Sequence, residues 1–348
     1  MTRVLVVDDS AFMRKALSKM LESDPGIQVV GTARDGIDAL DKVRQLDPDL
    51  VTLDVDMPRM DGLEALRRIM AECPRPVLMV SALTEAGAEE TLQALDLGAL
   101  DFIPKATGGN IVNITHIERS LCQKVRVLGR RRRPQPGLQR EPASAPPVAA
   151  PVAPSRRPQG MRFLAIGAST GGPPALQTLL SGLAPGFSLP VVIVQHMPKA
   201  FTGPFARRLN GLCPLEMKEA ESGDRLAPGR GFVAPGGSHL VLVPEGGGLT
   251  LRVTPEPADT LHKPSVDVTF SSFADHVGRT TLAVVLTGMG SDGLAGVREL
   301  KQKGAHTITQ DADSCVVYGM PRAVAEAGLS DTVLPIGHIA SAVNRAAT

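Results

Sequence analysis

Three acidic residues follow two strand-like segments near the start of the chain. Asp8 and Asp9 come directly after the apolar run 4–7, and Asp54 comes directly after 50–53. The carboxyl ends of parallel strands meet at one edge of a sheet, so these acids converge if the two strands are neighbours. Carboxylate oxygens suit Mg²⁺, and their mutual repulsion favours a bound cation. The sequence therefore predicts a magnesium site formed by these three acids.

Two further strand ends carry groups that complement a phosphate. Ser81 follows the apolar run 77–80, and Lys105 follows 101–104. A hydroxyl, an ammonium group and Mg²⁺ around Asp54 would neutralise a phosphoryl group during its transfer. Scattered surface acids are the alternative, because Asp is common in loops after strands. The presence of all five groups at strand ends favours a phosphate-accepting pocket.

A second constellation begins at a glycine-rich turn. Gly167-Ala168-Ser169-Thr170-Gly171-Gly172 follows an apolar run, precedes a helical pattern and matches G-x-S-x-G. Such a turn projects a serine hydroxyl beyond the sheet edge, and the following helix N-terminus favours developing negative charge. The lysine of a phosphate-binding loop and the dinucleotide glycine pattern are both missing. Because Gly/Ser turns are common, the motif needs partners before it indicates catalysis.

A serine nucleophile requires a base and a group that orients the base. His196 ends the strand-like run 191–195, and Asp292 lies in the loop 287–293 after the run 281–286. These strands and the one before Ser169 would present their ends at one edge. We therefore expect Ser169, His196 and Asp292 to face one crevice.

Other histidines and acids compete for these roles. His239 lies beside the turn 235–238 and could line the cleft, and Asp267 and Asp313 are the rival acids. The remaining histidines either lack strand-end placement or are expected at the periphery: His262, His276, His116, His306 and His338.

The elements that must position these residues alternate between strands and helices. In the first part of the chain, apolar segments predict strands at 4–7, 28–30, 50–53, 77–80 and 101–103. In the last part, strands are predicted at 162–166, 191–195, 281–286 and 306–309, with a β-rich insertion at about 215–253. Strands that alternate with helical patterns indicate parallel sheets covered by helices on both faces. The predicted class is α/β, in two doubly wound domains.

Composition supports this organisation. The chain has 348 residues, which suits two domains, and a Pro/Ala/Arg-rich stretch separates the two patterns. We predict domains at 1–125 and 160–348, joined by a linker at 126–159. The net charge of +1 gives no strong field for nucleic acid, and no apolar run is long enough to span a bilayer. Four widely spaced cysteines are expected to be free thiols of a cytoplasmic protein.

The first part of the chain resembles the receiver domains of two-component systems over about residues 1–125. The resemblance rests on VLVVDDSAFMR, VTLDVDMPRMDGLEAL, VSALT and DFIPK. It implies a flavodoxin-like fold in which Asp54 accepts a phosphoryl group from a histidine kinase. The implied roles of the other residues are Mg²⁺ binding by Asp8, Asp9 and the carbonyl of Asp56, phosphoryl sensing by Ser81 and Lys105, and an aromatic switch at Phe102.

The last part resembles the chemotaxis protein-glutamate methylesterases over about residues 160–348. The motifs are GASTGGP, VQHMP with FTGPFARRL, VAPGGSHL, HKPSVDV and LTGMGSDG. The order Ser, His, Asp differs from the order Ser, acid, His of ordinary α/β-hydrolases. The resemblance implies Ser169 as nucleophile, His196 as general base and acid, and Asp292 as its orienting carboxylate. Backbone amides near Thr170 and Met289 would bind the oxyanion.

The implied reaction is hydrolysis of glutamyl methyl esters on the cytoplasmic domain of methylated chemoreceptors, with release of methanol. Phosphorylation of the receiver would activate it, and deamidation of receptor glutamine would use the same chemistry. No cofactor is expected for the ester chemistry, and neither nucleic acid nor membrane insertion is expected.

Three alternatives remain open. The second domain could bind a partner without catalysis, in response to phosphorylation. The basic run Arg130–Arg133 could belong to a transcriptional regulator. An esterase of the same family could serve a signalling array other than chemotaxis.

Overall fold

The computed structural model describes residues 1–105, 111–130 and 160–348, with the side chains of 111–116 excepted. The chain divides into two compact units, Met1–Ala149 and Ala150–Thr348. Within the described ranges, none of the helices is both long and apolar enough to cross a lipid bilayer.

The first unit is a five-stranded sheet in which every neighbouring pair of strands is parallel. Its strand order is β2-β1-β3-β4-β5, which confirms the predicted flavodoxin-like fold. The strands are β1 (Thr2–Val7), β2 (Ile27–Ala33), β3 (Leu50–Asp54), β4 (Val77–Ser81) and β5 (Asp101–Pro104). The helices are α1 (Ala11–Glu22), α2 (Gly36–Leu46), α3 (Gly62–Glu72), α4 (Glu85–Asp96) and α5 (Ile111–Leu128).

Short polar residues start the first four helices of this unit. Ser10, Asp35, Asp61 and Thr84 each accept a hydrogen bond from a backbone N–H in the first turn of the following helix. Such caps satisfy donors that have no partner within the helix. Strands β3 and β4 are buried along their whole length, as expected for a sheet covered on both faces, whereas the edge strand β2 is mostly half-buried.

Helix α5 crosses the predicted domain boundary at residue 125. Helix α5 continues to Leu128, which is fully buried. Arg126 lies in the last turn and pairs with Asp24 at 2.5 Å. Most of the predicted linker, residues 131–159, lies outside the described residues.

The second unit contains a seven-stranded sheet in which every neighbouring pair is parallel. The strand order is β14-β13-β12-β6-β7-β9-β8, beside a two-stranded antiparallel hairpin, β10-β11. The strands are β6 (Phe163–Ala168), β7 (Val191–Gln195), β8 (Glu216–Glu219), β9 (Arg230–Val233), β10 (His239–Glu245), β11 (Gly248–Thr254), β12 (Thr281–Val285), β13 (His306–Gln310) and β14 (Thr332–Leu334). The α-helices are α6 (Gly172–Ser181), α7 (Lys199–Asn210), α8 (Val266–Val277), α9 (Leu294–Gln302), α10 (Met320–Glu326) and α11 (Ile336–Ala346).

The strands of the β-rich insertion belong to two different sheets. Strands β8 and β9 extend the main sheet in parallel, whereas β10 and β11 form the separate hairpin. A four-residue strand carries too little pattern to reveal its partner. For the same reason the sequence did not predict β14, which has only three residues.

Helix α8 packs with its first turn against the end of β6. A Cβ at Gly167 would lie 2.4 Å from Cγ1 of Val266, so only glycine permits this approach. Phe270 and Phe273 extend the contact along the helix and are fully buried in the core. This packing brings the N-terminus of α8 to the carboxyl end of the sheet.

Candidate functional sites

The acidic residues of the first unit meet between β1 and β3. The chain continues from β1 to β2 on one side and then crosses to β3 on the other, so this crevice is a topological switch point. Ligand oxygens of Asp8, Asp9 and Asp54 lie within 4.8 Å of one another. Lys105 Nζ lies 2.7 Å from Asp54 Oδ2 and 3.2 Å from Asp8 Oδ2.

Burial dominates the electrostatics of Asp54. It raises the pKa of this carboxyl to about 6, because the ion pair with Lys105 only partly offsets burial and the neighbouring Asp8 charge adds to it. The pKa of Lys105 is raised, since its two carboxylate partners outweigh the opposing effect of burial. The site therefore holds a charged ammonium group beside a carboxyl group whose pKa is raised.

The residues of this pocket fit a divalent cation. Oδ2 of Asp8 and Oδ2 of Asp54 are buried and accept no hydrogen bond in the described part of the chain. Lys105 approaches both oxygens at ion-pair distance, but without hydrogen-bond geometry at either. Buried carboxylate oxygens that lack donors are suitable ligands for Mg²⁺. Asp9 is exposed and would add a third carboxylate, and Asp56 is exposed in the loop after β3.

The expected sensing residues lie at the neighbouring strand ends. Ser81 Oγ is buried and donates a hydrogen bond of 3.0 Å to the carbonyl of Gly87 in α4. Phe102 is only 4% exposed, and Lys124 Nζ lies 5.7 Å from its ring centroid. In this conformation the Ser81 hydroxyl binds α4.

In the second unit, Ser169, His196 and Asp292 lie in hydrogen-bond contact. Ser169 Oγ lies 3.1 Å from Nδ1 of His196, and Nε2 of His196 lies 2.7 Å from Oδ2 of Asp292. An ionised carboxylate only accepts, so Nε2 carries the proton and Nδ1 accepts from the serine hydroxyl. The side chains of His196 and Asp292 are 9% and 10% exposed.

The order of the strands explains this convergence. Ser169 follows β6, His196 follows β7 and Asp292 follows β12, and these three strands are adjacent in the sheet. The crevice between β6 and β12 is again a switch point. The Ser169 amide donates to the carbonyl of Thr287, which ties the serine turn to the end of β12 at 3.0 Å. Gly171 adopts φ +74° in this turn, a left-handed conformation that favours glycine.

Asp292 is held by the first turn of α8. Its Oδ1 accepts from the Ser265 hydroxyl at 2.9 Å and from the Asp267 amide at 3.0 Å. Its Oδ2 accepts from the Val266 amide at 2.7 Å. Burial alone would raise the pKa of Asp292, but the hydrogen bond and charge of His196 and the two amides lower it well below its usual range. The carboxylate is therefore ionised and fixed in orientation.

The rival acids occupy other environments. Asp267 Oδ1 accepts from the amides of Gly293 and Gly296 at 2.9 and 2.8 Å, so it closes the loop that carries Asp292. Burial, together with the nearby Asp292, raises the pKa of Asp267 to about 6. Asp313 is exposed in the loop after β13.

The other histidines differ in their surroundings. His276 and His338 are exposed, and His306 lies 3.5 Å from Asp331 at the start of β13. His239 is fully buried, and the His262 ring stacks on the His196 ring. The side chain of His116 lies outside the described residues.

The loops that carry Thr170 and Met289 approach the serine from one side. A Cβ at Gly288 would lie 2.9 Å from Cβ of Ser169, which shows how closely this loop passes. Within the described ranges, neither the Thr170 nor the Met289 amide donates a backbone hydrogen bond. Their role as oxyanion donors stays a prediction.

Strand-end reasoning left out three residues that contact this group. Gln195 Nε2 donates to the carbonyls of Ser169 and His196 at 3.0 and 3.1 Å. Ser265 caps α8 and binds Asp292, and His262 covers the imidazole. Ser265 could have been found as a capping serine before a helical pattern, whereas His262 lies in a loop remote from any strand end.

Comparisons with known proteins agree over the whole chain. A family model described as CheB methylesterase matches residues 164–343, and one described as response regulator receiver domain matches residues 4–114. The protein-glutamate methylesterase/protein-glutamine glutaminase 1 of Oleidesulfovibrio alaskensis is 52% identical, covering 99% of each chain. The protein of the same description from Lawsonia intracellularis is 46% identical over 99% of this chain and 98% of its own length.

A solved structure supports the fold of the second unit. The crystal structure of the CheB methylesterase catalytic domain of Thermotoga maritima is 38% identical, with a TM-score of 0.52 over 53% of this chain and 97% of that one. Since the family model spans more than half of the sequence and the relatives align end to end, this chain belongs to the CheB methylesterase family, with an N-terminal response regulator receiver domain.

Proposed function

We propose that this protein hydrolyses glutamyl methyl esters on the cytoplasmic domains of chemoreceptors, under the control of receiver phosphorylation. The observation that carries the proposal is the hydrogen-bonded series from Ser169 Oγ through the His196 ring to Asp292. A hydroxyl, a base and an orienting carboxylate in this order constitute a serine hydrolase triad. The names of the full-length relatives supply the substrate class.

In the acylation step, Ser169 Oγ attacks the ester carbonyl while His196 Nδ1 takes the serine proton. The resulting imidazolium lies between the serine and the ionised Asp292, which stabilises its charge. The same nitrogen then returns the proton to the departing methoxide, which leaves as methanol. Amides of Thr170 and Met289 are our candidates for the donors that stabilise the tetrahedral oxyanion.

In the deacylation step, the neutral imidazole takes a proton from water, and the hydroxide attacks the acyl-serine. Collapse of the second tetrahedral intermediate returns the proton to Ser169 and leaves a free glutamate. A glutamine side chain presents a similar carbonyl with ammonia as leaving group, so deamidation needs no further residue. The groups described for the ester chemistry are all supplied by the chain, and we propose no cofactor for it.

For the receiver, we propose that Asp54 accepts a phosphoryl group from a chemotaxis histidine kinase. Asp8, Asp9, Asp54 and the carbonyl of Asp56 would hold Mg²⁺, which neutralises phosphoryl oxygens during transfer. Lys105 already contacts Asp54 and would pair with a phosphoryl oxygen, and Ser81 would leave Gly87 to donate to another. Phosphorylation adds about −1.5 to −2 charge units at this edge of the sheet.

We further propose that the unphosphorylated receiver, residues 1–125 with the end of α5, restrains the esterase domain at 160–348. A chain without residues 1–130 should then have basal activity above that of the full-length chain. Equal or lower activity in a folded fragment would contradict restraint. We propose a cytoplasmic location, because both proposed partners, the kinase and the cytoplasmic domain of the receptor, would be met there.

The decisive experiment measures methanol release from methylated chemoreceptor in membranes, with and without a small phosphodonor. We expect phosphodonor-stimulated release by the wild type, no release by Ser169→Ala, and unstimulated basal release by Asp54→Asn. A second-domain function in partner binding alone predicts no release by any of the three proteins. If the protein released methanol only from receptors of another signalling array, the proposed chemistry would stand and the substrate assignment would change.

A further inference from the structure

A second histidine lies against the proposed general base. The rings of His262 and His196 have centroids 4.0 Å apart and an angle of 21° between their planes, which is a stacked pair. His262 is partly buried in the segment between β11 and α8. It occupies a ring face of His196, whereas Ser169 and Asp292 bind the ring edge.

Stacking restricts a rotation of the His196 ring that would disable the relay. If the His196 ring turned about its Cβ–Cγ bond, its edge would be driven toward the plane 4.0 Å away that the His262 ring occupies. Rotation would also move Nδ1 away from Ser169 Oγ and Nε2 away from Asp292. The two edge hydrogen bonds and the stacked face therefore oppose the same motion.

The segment that carries His262 is fixed by a buried histidine. His239 is fully buried at the start of β10, and its Nδ1 accepts from the Ser265 amide at 3.2 Å. Its Nε2 therefore carries a proton and lies 3.2 Å from the Pro257 carbonyl and 3.0 Å from Thr260 Oγ1. Contacts on both sides of His262 thus converge on one ring in the core.

Further hydrogen bonds complete this anchoring. The Gly237 amide donates to the carbonyl of Lys263 at 3.1 Å, and Lys263 Nζ donates to the carbonyl of Pro255 at 2.9 Å. By contrast, Leu261 is 76% exposed, so the segment is held through its backbone and its inward side chains. A segment anchored at several points can hold an aromatic ring in one position against its neighbour.

We infer that His262 is a positioning residue for the general base: its ring holds the His196 imidazole in the plane that joins Ser169 to Asp292. The role belongs to the shape of the ring and not to its nitrogens. It rests on the proposed esterase function for its kinetic test, but the orientation of His196 can be measured without that function.

The test compares His262→Ala with His262→Phe in the full-length chain, with a phosphodonor present and methylated chemoreceptor as substrate. A phenyl ring keeps the stacked face and removes both nitrogens. We expect kcat to fall about 10- to 100-fold in His262→Ala with little change in KM, because misplaced reacting groups cost rates of that order. We expect His262→Phe to recover to within about threefold of the wild type.

His276→Ala is the matched control, since this histidine is exposed at the opposite end of α8 from Asp292. It should retain wild-type kinetics. An inactive His262→Phe would overturn the inference, because it would show that an imidazole nitrogen is required. A change confined to KM would do so as well, by indicating a contact with substrate, and so would wild-type rates in both His262 variants.

A spectroscopic measurement separates this inference from the proposed reaction. The proton between Nε2 of His196 and Asp292 should give a low-field proton resonance in nuclear magnetic resonance spectra, identified by its loss in Asp292→Asn. We expect this signal to persist in His262→Phe and to broaden in His262→Ala while the rest of the spectrum stays folded. A sharp, unshifted signal in His262→Ala would overturn the inference even if the wild type hydrolysed no receptor ester. If the wild type had no esterase activity but the low-field signal behaved as expected in the His262 variants, only the proposed function would be rejected.

Discussion

The two sites of this chain use the same position in the sheet and treat a buried carboxylate in opposite ways. Asp54 lies at the β1–β3 switch point and Asp292 beside the β6–β12 switch point. Burial raises the pKa of Asp54 to about 6, whereas the pKa of Asp292 is lowered well below its usual range. The sheet geometry is shared, so the difference must come from the donors around each acid.

Those donors match the chemistry expected of each acid. Asp292 accepts bonds from His196, one hydroxyl and two amides, so both of its oxygens have fixed partners. Asp54 receives one amide, from Val55, and the ammonium of Lys105, and its Oδ2 has no partner with hydrogen-bond geometry among the described residues. A satisfied carboxylate orients a base, whereas an undersatisfied one is available to a cation and to a phosphoryl group.

The largest expected effect is the loss of the nucleophile. Ser169→Ala should lower ester hydrolysis on the order of 10⁴-fold or more, because no other group in the relay can form the acyl-enzyme. The measurement is methanol release from methylated receptor. Asp54→Asn should keep its basal rate in the same assay. An equally large loss of methanol release in both variants would contradict the proposal that the two sites have separate roles.

Next in size is the loss of charge at the orienting acid. Asp292→Asn should lower kcat about 10³- to 10⁴-fold, because an amide does not stabilise the imidazolium and favours the wrong tautomer. Asp267→Asn is its matched control, since Asp267 accepts only backbone amides and an asparagine oxygen can replace one acceptor. It should remain within about tenfold of the wild type. A larger loss in Asp267→Asn than in Asp292→Asn would exchange the two assignments.

Removal of divalent metal should affect one site and spare the other. A chelator should abolish stimulation by the phosphodonor, because Asp54, which lies among other carboxylates, needs a cation beside it to accept a phosphoryl group. The basal methanol release by the second unit should persist. Re-addition of Mg²⁺ should restore stimulation in the wild type and fail to do so in Asp54→Asn. Loss of the basal rate on chelation would place a metal in the esterase chemistry.

The raised pKa of Asp54 makes stability depend on pH in a defined direction. The acid binds its proton more tightly in the folded state, so its stabilising effect is present below about pH 4 and is lost as the pH rises through about 6. The free energy of unfolding of Asp54→Asn should therefore exceed that of the wild type by about 1–3 kcal/mol at about pH 7 without Mg²⁺. Denaturant unfolding of the first unit at about pH 4.5 and about pH 7 measures this difference between the variant and the wild type. Equal stabilities at both pH values would contradict the burial of an ionised Asp54.

The smallest expected effect concerns a single donor to Asp292. Ser265→Ala removes the hydroxyl that donates to Oδ1 and that caps α8, and leaves the two amides in place. We expect a loss of about 1 kcal/mol in stability and less than about tenfold in kcat. Ser265→Thr keeps the hydroxyl and serves as the control. A loss as large as that of Asp292→Asn would mean that the hydroxyl, and not the amides, fixes the carboxylate.

The sequence by itself determined the fold class and the strand ends that carry the proposed chemistry. Short strand-like segments of three to six residues that alternate with helical patterns are explicit in the sequence, and the predicted α/β class is confirmed. Because side chains just after parallel strands share an edge, the expectation that Ser169, His196 and Asp292 face one crevice needed only the strand assignments. The short strands β8, β9 and β14 carried too little pattern for their partners to be predicted.

Only the tertiary structure decided what surrounds these side chains. Three contacts join segments that are far apart in the chain. The first amides of α8 donate to Asp292, Lys105 lies between two carboxylates, and His262 stacks on His196. The packing of the last turn of α5, up to Leu128, depends in the same way on burial and on the Arg126–Asp24 pair. Periodicity reports which face of an element is apolar, but hydrogen bonds and pKa values depend on distances that arise only when the elements pack.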